Sequence, residues 1–211
     1  MLDRYDANEF ETLTYMHSSG GLSCPDSDSR IVYYGSNGYP HLLFNGTTLL
    51  VGAGTDAING SQYDPIVQSM LDDASPLRMA ITAYQFNGAS SSVTLDIACE
   101  EPIADVSLTR IRIALVENNC VYSSVTYNNI VRDVLPDVPL TADTPAETQQ
   151  VNLAFTVSPS WNPANLRLVA WVQNDATKDV LQSCNSRPAL DYSFRFYTLG
   201  ERVVIDNAAH T

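Results

Sequence analysis

Residues 77–99 read LRMAITAYQFNGASSSVTLDIAC, two runs of alternating apolar and polar side chains joined through Asn87-Gly88. Alternation with a period of two places every second side chain on one face of an extended chain, and Asn-Gly supplies a tight turn. Leu77–Phe86 and Ser91–Cys99 therefore read as strands separated by turn residues. The same pattern returns at Ser107–Glu117, Gln150–Val157, Leu166–Asn174, Asp179–Cys184 and Asp191–Thr198, separated by turn residues such as Asn174-Asp175. Seven short strands predict a β-sandwich. Within that region Asn128–Leu135, stopped by Pro136, reads as a short helix.

Upstream of Ser75-Pro76 the character is mixed. Phe10–His17 is strand-like, and Asp26–Tyr34 can form a short helix capped by Ser27 or Asp28. Pro40–Phe44 reads as a strand, Asn45-Gly46 as a turn and Thr47–Val51 as the return strand. Asp64-Pro65 then opens a helix that runs to Leu71, with Asp at the N-cap and Pro at the first helical position. The expected organisation is α/β over residues 1–75, an all-β, immunoglobulin-like sandwich over 76–200, and a tail strand over 201–211.

Tyr33-Tyr34-Gly35-x-x-Gly38-Tyr39-Pro40, running into a strand and the Asn45-Gly46 hairpin, resembles the second half of a thioredoxin fold. Further on, Ala114-Leu115-Val116-Glu117-Asn118-Asn119, then Asn128–Pro136, then Val169-Ala170-Trp171-Val172-Gln173-Asn174 follow in order. Together these stretches resemble the secreted, outer-membrane-associated thioredoxin-like family of Bacteroidetes-type bacteria, over most of residues 10–199. The resemblance implies a thioredoxin-like module before a β-sandwich, a cis peptide at Tyr39–Pro40 and an extracellular or cell-surface setting. It implies no well-defined activity.

The departure from that family concerns the first strand and its C-x-x-C. The expectation is an incomplete thioredoxin-like domain, with Leu2-Asp3-Arg4-Tyr5 as the end of the helix that would follow the motif. None of Cys24, Cys99, Cys120 and Cys184 lies in a C-x-x-C pair, so neither a dithiol exchange centre nor a zinc knuckle can be read. An even count at wide spacing, in a chain rich in Asn, Ser, Thr and Tyr, predicts one or two disulfides among these four, with buried free thiols as the alternative. For Cys24 a structural bridge is favoured over a reactive thiol.

The formal charge is −13 over 211 residues, and Lys178 is the only lysine. Phosphate binding needs clustered cations, so nucleic acid is not an expected partner. No run approaches the roughly 18 apolar residues of a membrane-spanning helix. Met1–Asp6 lacks the pattern of a signal peptide, and the expectation is that an export signal was removed or lies upstream. Asp26 and Asp28 form a D-x-D read as helix capping; no cofactor is expected, and weak calcium binding stays open. His17, His41 and His210 have no metal-like spacing, though His41 follows the proline expected to be cis. Trp161 and Trp171 read as core and corner residues of the sandwich.

The tail, Glu201–Thr211, contains Val203-Val204-Ile205-Asp206, which resembles the first strand of a thioredoxin fold. A missing central strand leaves backbone N–H and C=O groups unpaired, which is costly when buried. The tail is expected to fill that slot, within its own chain or in the next molecule; the alternative is that upstream residues supply the strand and the tail has no such role. Donation to the next molecule is donor-strand complementation and builds a filament. The reading is a non-catalytic extracellular structural or adhesive protein whose partner is itself. The alternatives are a surface module binding carbohydrate or protein, and a remnant thiol-disulfide oxidoreductase. In an insulin-reduction assay with dithiothreitol the protein should show no turnover. Turnover that disappears on Cys24→Ser would overturn that expectation.

Overall fold

The computed structural model describes residue 5 and residues 10–17, 21–52, 56–187, 192–199 and 202–209. In chain order these give helix α1 (Pro25–Tyr33), strands β1 (His41–Phe44) and β2 (Thr48–Val51), and helix α2 (Asp56–Leu71). Then follow β3 (Leu77–Gln85), β4 (Ser91–Cys99), β5 (Thr109–Glu117), β6 (Cys120–Tyr122), β7 (Val125–Tyr127), β8 (Ile130–Val134) and β9 (Val138–Pro139). The last five are β10 (Thr148–Phe155), β11 (Leu166–Asn174), β12 (Val180–Asn185), β13 (Tyr192–Leu199) and β14 (Arg202–Ala209). The protein is mostly β-sheet with few helices.

Two sheets form the body. One is three-stranded in the order β10-β4-β3; the other runs β12-β11-β5-β8, with β9 also paired to β5. All these pairings are antiparallel. β4 buries every second residue, the pattern of a strand with one face on a core. Leu95, Ile97 and Val151 from the first sheet meet Ile113, Leu115, Leu168 and Val172 from the second in one cluster. Burying a side chain of this size contributes about 1.5–3 kcal/mol. β11, by contrast, is buried on both faces. Ala114, Val116, Val131, Val169 and Trp171 make a second cluster on the far face of the larger sheet, covered by Leu13, Tyr15 and Cys24. A third layer therefore lies on the sandwich, and it contains the segment at residues 10–17 and α1.

Several local expectations are corrected. Residues 130–134 are strand β8, not helix: Ile130 and Val131 are fully buried beside β5, and β-branched side chains suit that half-buried ladder. Phe10–His17 is extended but joins the sheet through a single parallel bridge, Thr14 with Ile130. α1 is preceded by Cys24 at its N-cap with Pro25 in the first turn; Ser27 and Asp28 lie inside the helix and do not cap it. α2 begins at Asp56, so Pro65 is interior, where it removes one helical hydrogen bond. The β6–β7 hairpin turns on Ser123 and Ser124, both at positive φ, a role that serine seldom fills and that the sequence did not signal. Leu2-Asp3-Arg4 lies outside the described residues.

A strand, β14, forms in the tail. Val203, Val204 and Ile205 pair with Thr198, Tyr197 and Phe196 of β13, and the two strands form a sheet of their own. Among the described residues neither β13 nor β14 pairs with any other strand of the chain.

No disulfide is present: Cys24, Cys99, Cys120 and Cys184 are all free. Three of the thiols hold other partners. Cys24 Sγ lies 3.2 Å from Ser27 Oγ, Cys99 donates to Glu101 O, and Cys120 donates to Glu117 O. Burial pushes the Cys120 thiol up to about 11 and the Cys184 thiol up to about 12. All four thiols should therefore titrate in denaturant without reductant. In the native protein at pH 8, Cys120 and Cys184 should alkylate slowly, because the thiolate is the minor species. Two or fewer thiols in denaturant would overturn this.

Candidate functional site

A cleft of about 1050 Å³ lies between the third layer and the sandwich. Residues 10–15 form one wall and residues 39–46 another; α1, the end of α2 and residues 179–183 complete it. Trp171 and Val169 from the far face of β11 also line it.

Each wall is held by a buried polar clamp. Residues 10–15 are fixed by Arg167 on β11, whose Nη2 pairs with Glu11 Oε1 at 2.7 Å, side chains 5% and 9% exposed. The same guanidinium donates to Asn129 Oδ1 at 2.8 Å and Asn118 Oδ1 at 3.2 Å. An ion pair so buried costs several kcal/mol to desolvate, and removing one partner destabilises by about 3–5 kcal/mol. Sequence reading missed Arg167; its one signal was a cation inside the apolar run Leu166–Val172.

α1 and the β1–β2 hairpin are fixed by Gln173, fully buried at the end of the same strand. Its Oε1 accepts from Arg30 Nη2 at 2.7 Å, Arg112 Nη1 at 3.2 Å and Trp171 Nε1 at 3.4 Å. Its Nε2 donates to Tyr34 Oη at 2.9 Å and to the Lys178 carbonyl at 2.6 Å. Arg30 reaches this point beside two aromatic rings, 4.3 Å from the centroid of Tyr33 and 4.8 Å from that of Tyr34. Arg112 is neutralised by Asp137 at 2.9 Å and Asp175 at 2.8 Å. Tyr33 donates to Asp175, and burial together with that carboxylate pushes its phenol up to about 12. Burial likewise raises Tyr15.

The hairpin docks by its turn. Asn45 and Gly46 both have positive φ, and Asn45 O accepts from Val180 N–H at 3.0 Å. A Cβ on Gly46 would collide with the Lys178 carbonyl oxygen and stand 2.8 Å from Gln173 Nε2.

Tyr39–Pro40 is cis, as expected, and lines the cleft with His41. Among the described residues four buried side-chain polar atoms lack a hydrogen-bond partner: Thr12 Oγ1, Arg30 Nε, and His41 Nδ1 and Nε2. All three residues line this cleft. Buried polar groups are usually satisfied, so this concentration marks a place where something polar belongs. Cys24, Cys99, Cys120 and Cys184 are not among its lining residues. Asp26 does not cap α1 but accepts from Val134 N–H at 3.3 Å, facing Asp133, whose carboxyl is raised by burial and by Asp26. No group of three or more metal-ligating side chains occurs among the described residues. Trp171 is buried on the outer face of the sheet, while Trp161 packs against the core between the sheets.

Gly46→Ala should destabilise the protein by more than Gly35→Ala. Gly35 also has positive φ but open space around it, so alanine there costs about 1–2 kcal/mol of backbone strain. At Gly46 roughly 1–3 kcal/mol of overpacking adds to that strain. Urea titrations followed by tryptophan fluorescence would measure both, and equal losses would show that the turn is not packed on Gln173.

The sequence matches no family model, and no curated protein matches it. Solved structures do. HBP35 of Porphyromonas gingivalis superposes with a TM-score of 0.55 at 13% identity, covering 87% of this chain and 68% of that one. A domain of the outer membrane lipoprotein Omp28 from Porphyromonas gingivalis gives 0.33 at 9% identity, over 54% of this chain and 88% of that one. A β-glucosidase from Kluyveromyces marxianus gives 0.30 at 11%, over 53% and 14%. The chain thus shares with HBP35 a β-rich fold that extends over most of its length.

Proposed function

We propose that this chain is a non-catalytic extracellular or cell-surface protein of structural or adhesive role that associates with itself by strand exchange. In this reading residues 1–75 are the rear part of a thioredoxin-like domain, residues 76–200 an immunoglobulin-like sandwich, and residues 201–211 the exchanged segment. The order helix, cis-proline, hairpin, helix supports the first assignment, and the two facing antiparallel sheets support the second. The fold likeness to HBP35 supports the β-rich architecture of this reading.

The observation that carries the reading is the β13–β14 hairpin. It pairs with no other strand among the described residues. A lone two-stranded sheet is marginal in water, and its outer edges present rows of unpaired N–H and C=O groups. Such a hairpin is an element awaiting a sheet. A second reading, a surface binding module, draws on the unpartnered polar atoms of the cleft.

Sedimentation of the full chain should show species larger than a monomer whose share grows with concentration. Deleting residues 201–211 should return it to a monomer while the near-ultraviolet signal of the buried tryptophans persists. A full chain that stays monomeric at all concentrations would overturn self-association and leave the binding-module reading.

A further inference from the structure

The cleft has the requirements of a strand site. Thr14 commits its backbone to β8, donating to Asn129 O at 2.7 Å and accepting from Val131 N–H at 3.0 Å. Alternation along an extended chain turns the N–H and C=O groups of Leu13 and Tyr15 to the opposite edge. No backbone hydrogen bond joins them to another described residue. On the facing wall β1 pairs with β2 along one edge and with no other described strand. Two extended segments thus line one cleft, each with an unused edge. The side chains agree: Leu13, Leu42 and Phe44 are apolar, while Thr12 and His41 carry buried polar atoms without partners. A volume of about 1050 Å³ lies just above the roughly 300–1,000 Å³ of small-molecule sites. An extended backbone would satisfy both edges, which a small apolar ligand would not.

The chain itself carries a segment that fits. β14 spans Arg202–Ala209 and contains Val203-Val204-Ile205, a continuous apolar run of the kind found in strands buried on both faces. Six residues in strand conformation span about 20 Å at roughly 3.3 Å per residue, a length that the eight residues of β14 cover. In its own chain β14 has one neighbour, β13; in the cleft it would have two. We infer that this cleft is the acceptor groove for strand β14 of a second copy of the chain, seated between residues 10–15 and β1. The inference rests on the strand-exchange reading above and gives it an address.

The test uses the full chain with a photo-crosslinking benzoylphenylalanine in place of Ile205, mixed with an isotopically heavy copy of the unmodified chain. After irradiation and proteolysis, mass spectrometry should find peptides that join light position 205 to heavy residues 10–15 or 40–44. These crosslinks should be lost on dilution to the monomer and on Leu42→Arg in the heavy copy, with circular dichroism confirming that this variant is folded. Light-to-light crosslinks alone at these positions would place the strand in its own chain and overturn the second copy as donor. Crosslinks between copies that map elsewhere would overturn the groove but leave self-association intact. Crosslinks joining residues 10–15 or 40–44 only to residues 1–9, read with the probe moved to Leu42, would show the groove filled from within and overturn the proposal.

Discussion

The architecture depends on the Gln173 side chain. It is a neutral amide with no exposed surface, and two guanidinium groups, an indole, a phenol and a backbone carbonyl converge on it. Two cations bring large desolvation costs into the same small volume. Asp137 and Asp175 offset one of them, and the Tyr33 and Tyr34 ring faces offset the other. Because every member of the network holds another, loss of the amide would strand several buried polar groups at once. That coupling makes such networks specific about geometry. Here it fixes helix α1, the end of β11 and the Asn45-Gly46 turn in one arrangement. With Arg167 and Glu11 holding the other wall, the cleft is bounded by elements that the sandwich itself positions.

The sandwich strands were legible in the sequence, since period-two alternation follows directly from one face being buried. β4 and β11 match their expected bounds, and β3, β5, β10 and β12 lie within two residues of theirs. The stretch at 130–134 was not legible as a strand. Its apolar spacing fits either period over so short a run, and only pairing with β5 decides. The cis peptide at Tyr39–Pro40 was legible from the motif around it. The cysteines were not: composition speaks of a compartment, whereas bridging is a matter of distance, and Cys24, Cys99 and Cys120 bond to nearby oxygens instead. Gln173 and Arg167 were legible only as polar residues within apolar runs, a signal that says they are buried and satisfied without saying by what.

The remaining elements share one property, an unused strand edge. Residues 13 and 15, the free side of β1 and the flanks of the β13–β14 hairpin all present backbone groups that no described strand takes up. Soluble proteins ordinarily blunt such edges with charge, proline or a covering element. At −13 the chain repels its own copies at long range, which slows indiscriminate contact. Local pairing can still win where a strand meets a groove of matching length, because ladder hydrogen bonds and apolar burial act at contact while surface charge is screened within about 8–10 Å at physiological salt. Under the strand-exchange reading, a rigid acceptor adds a further selection. The Gln173 network and the Arg167–Glu11 pair hold the groove walls at a set separation, so an entering segment must be extended and apolar to be accepted. In that reading the clamped walls supply register, and the hairpin, which pairs with no other described strand, supplies the entering segment.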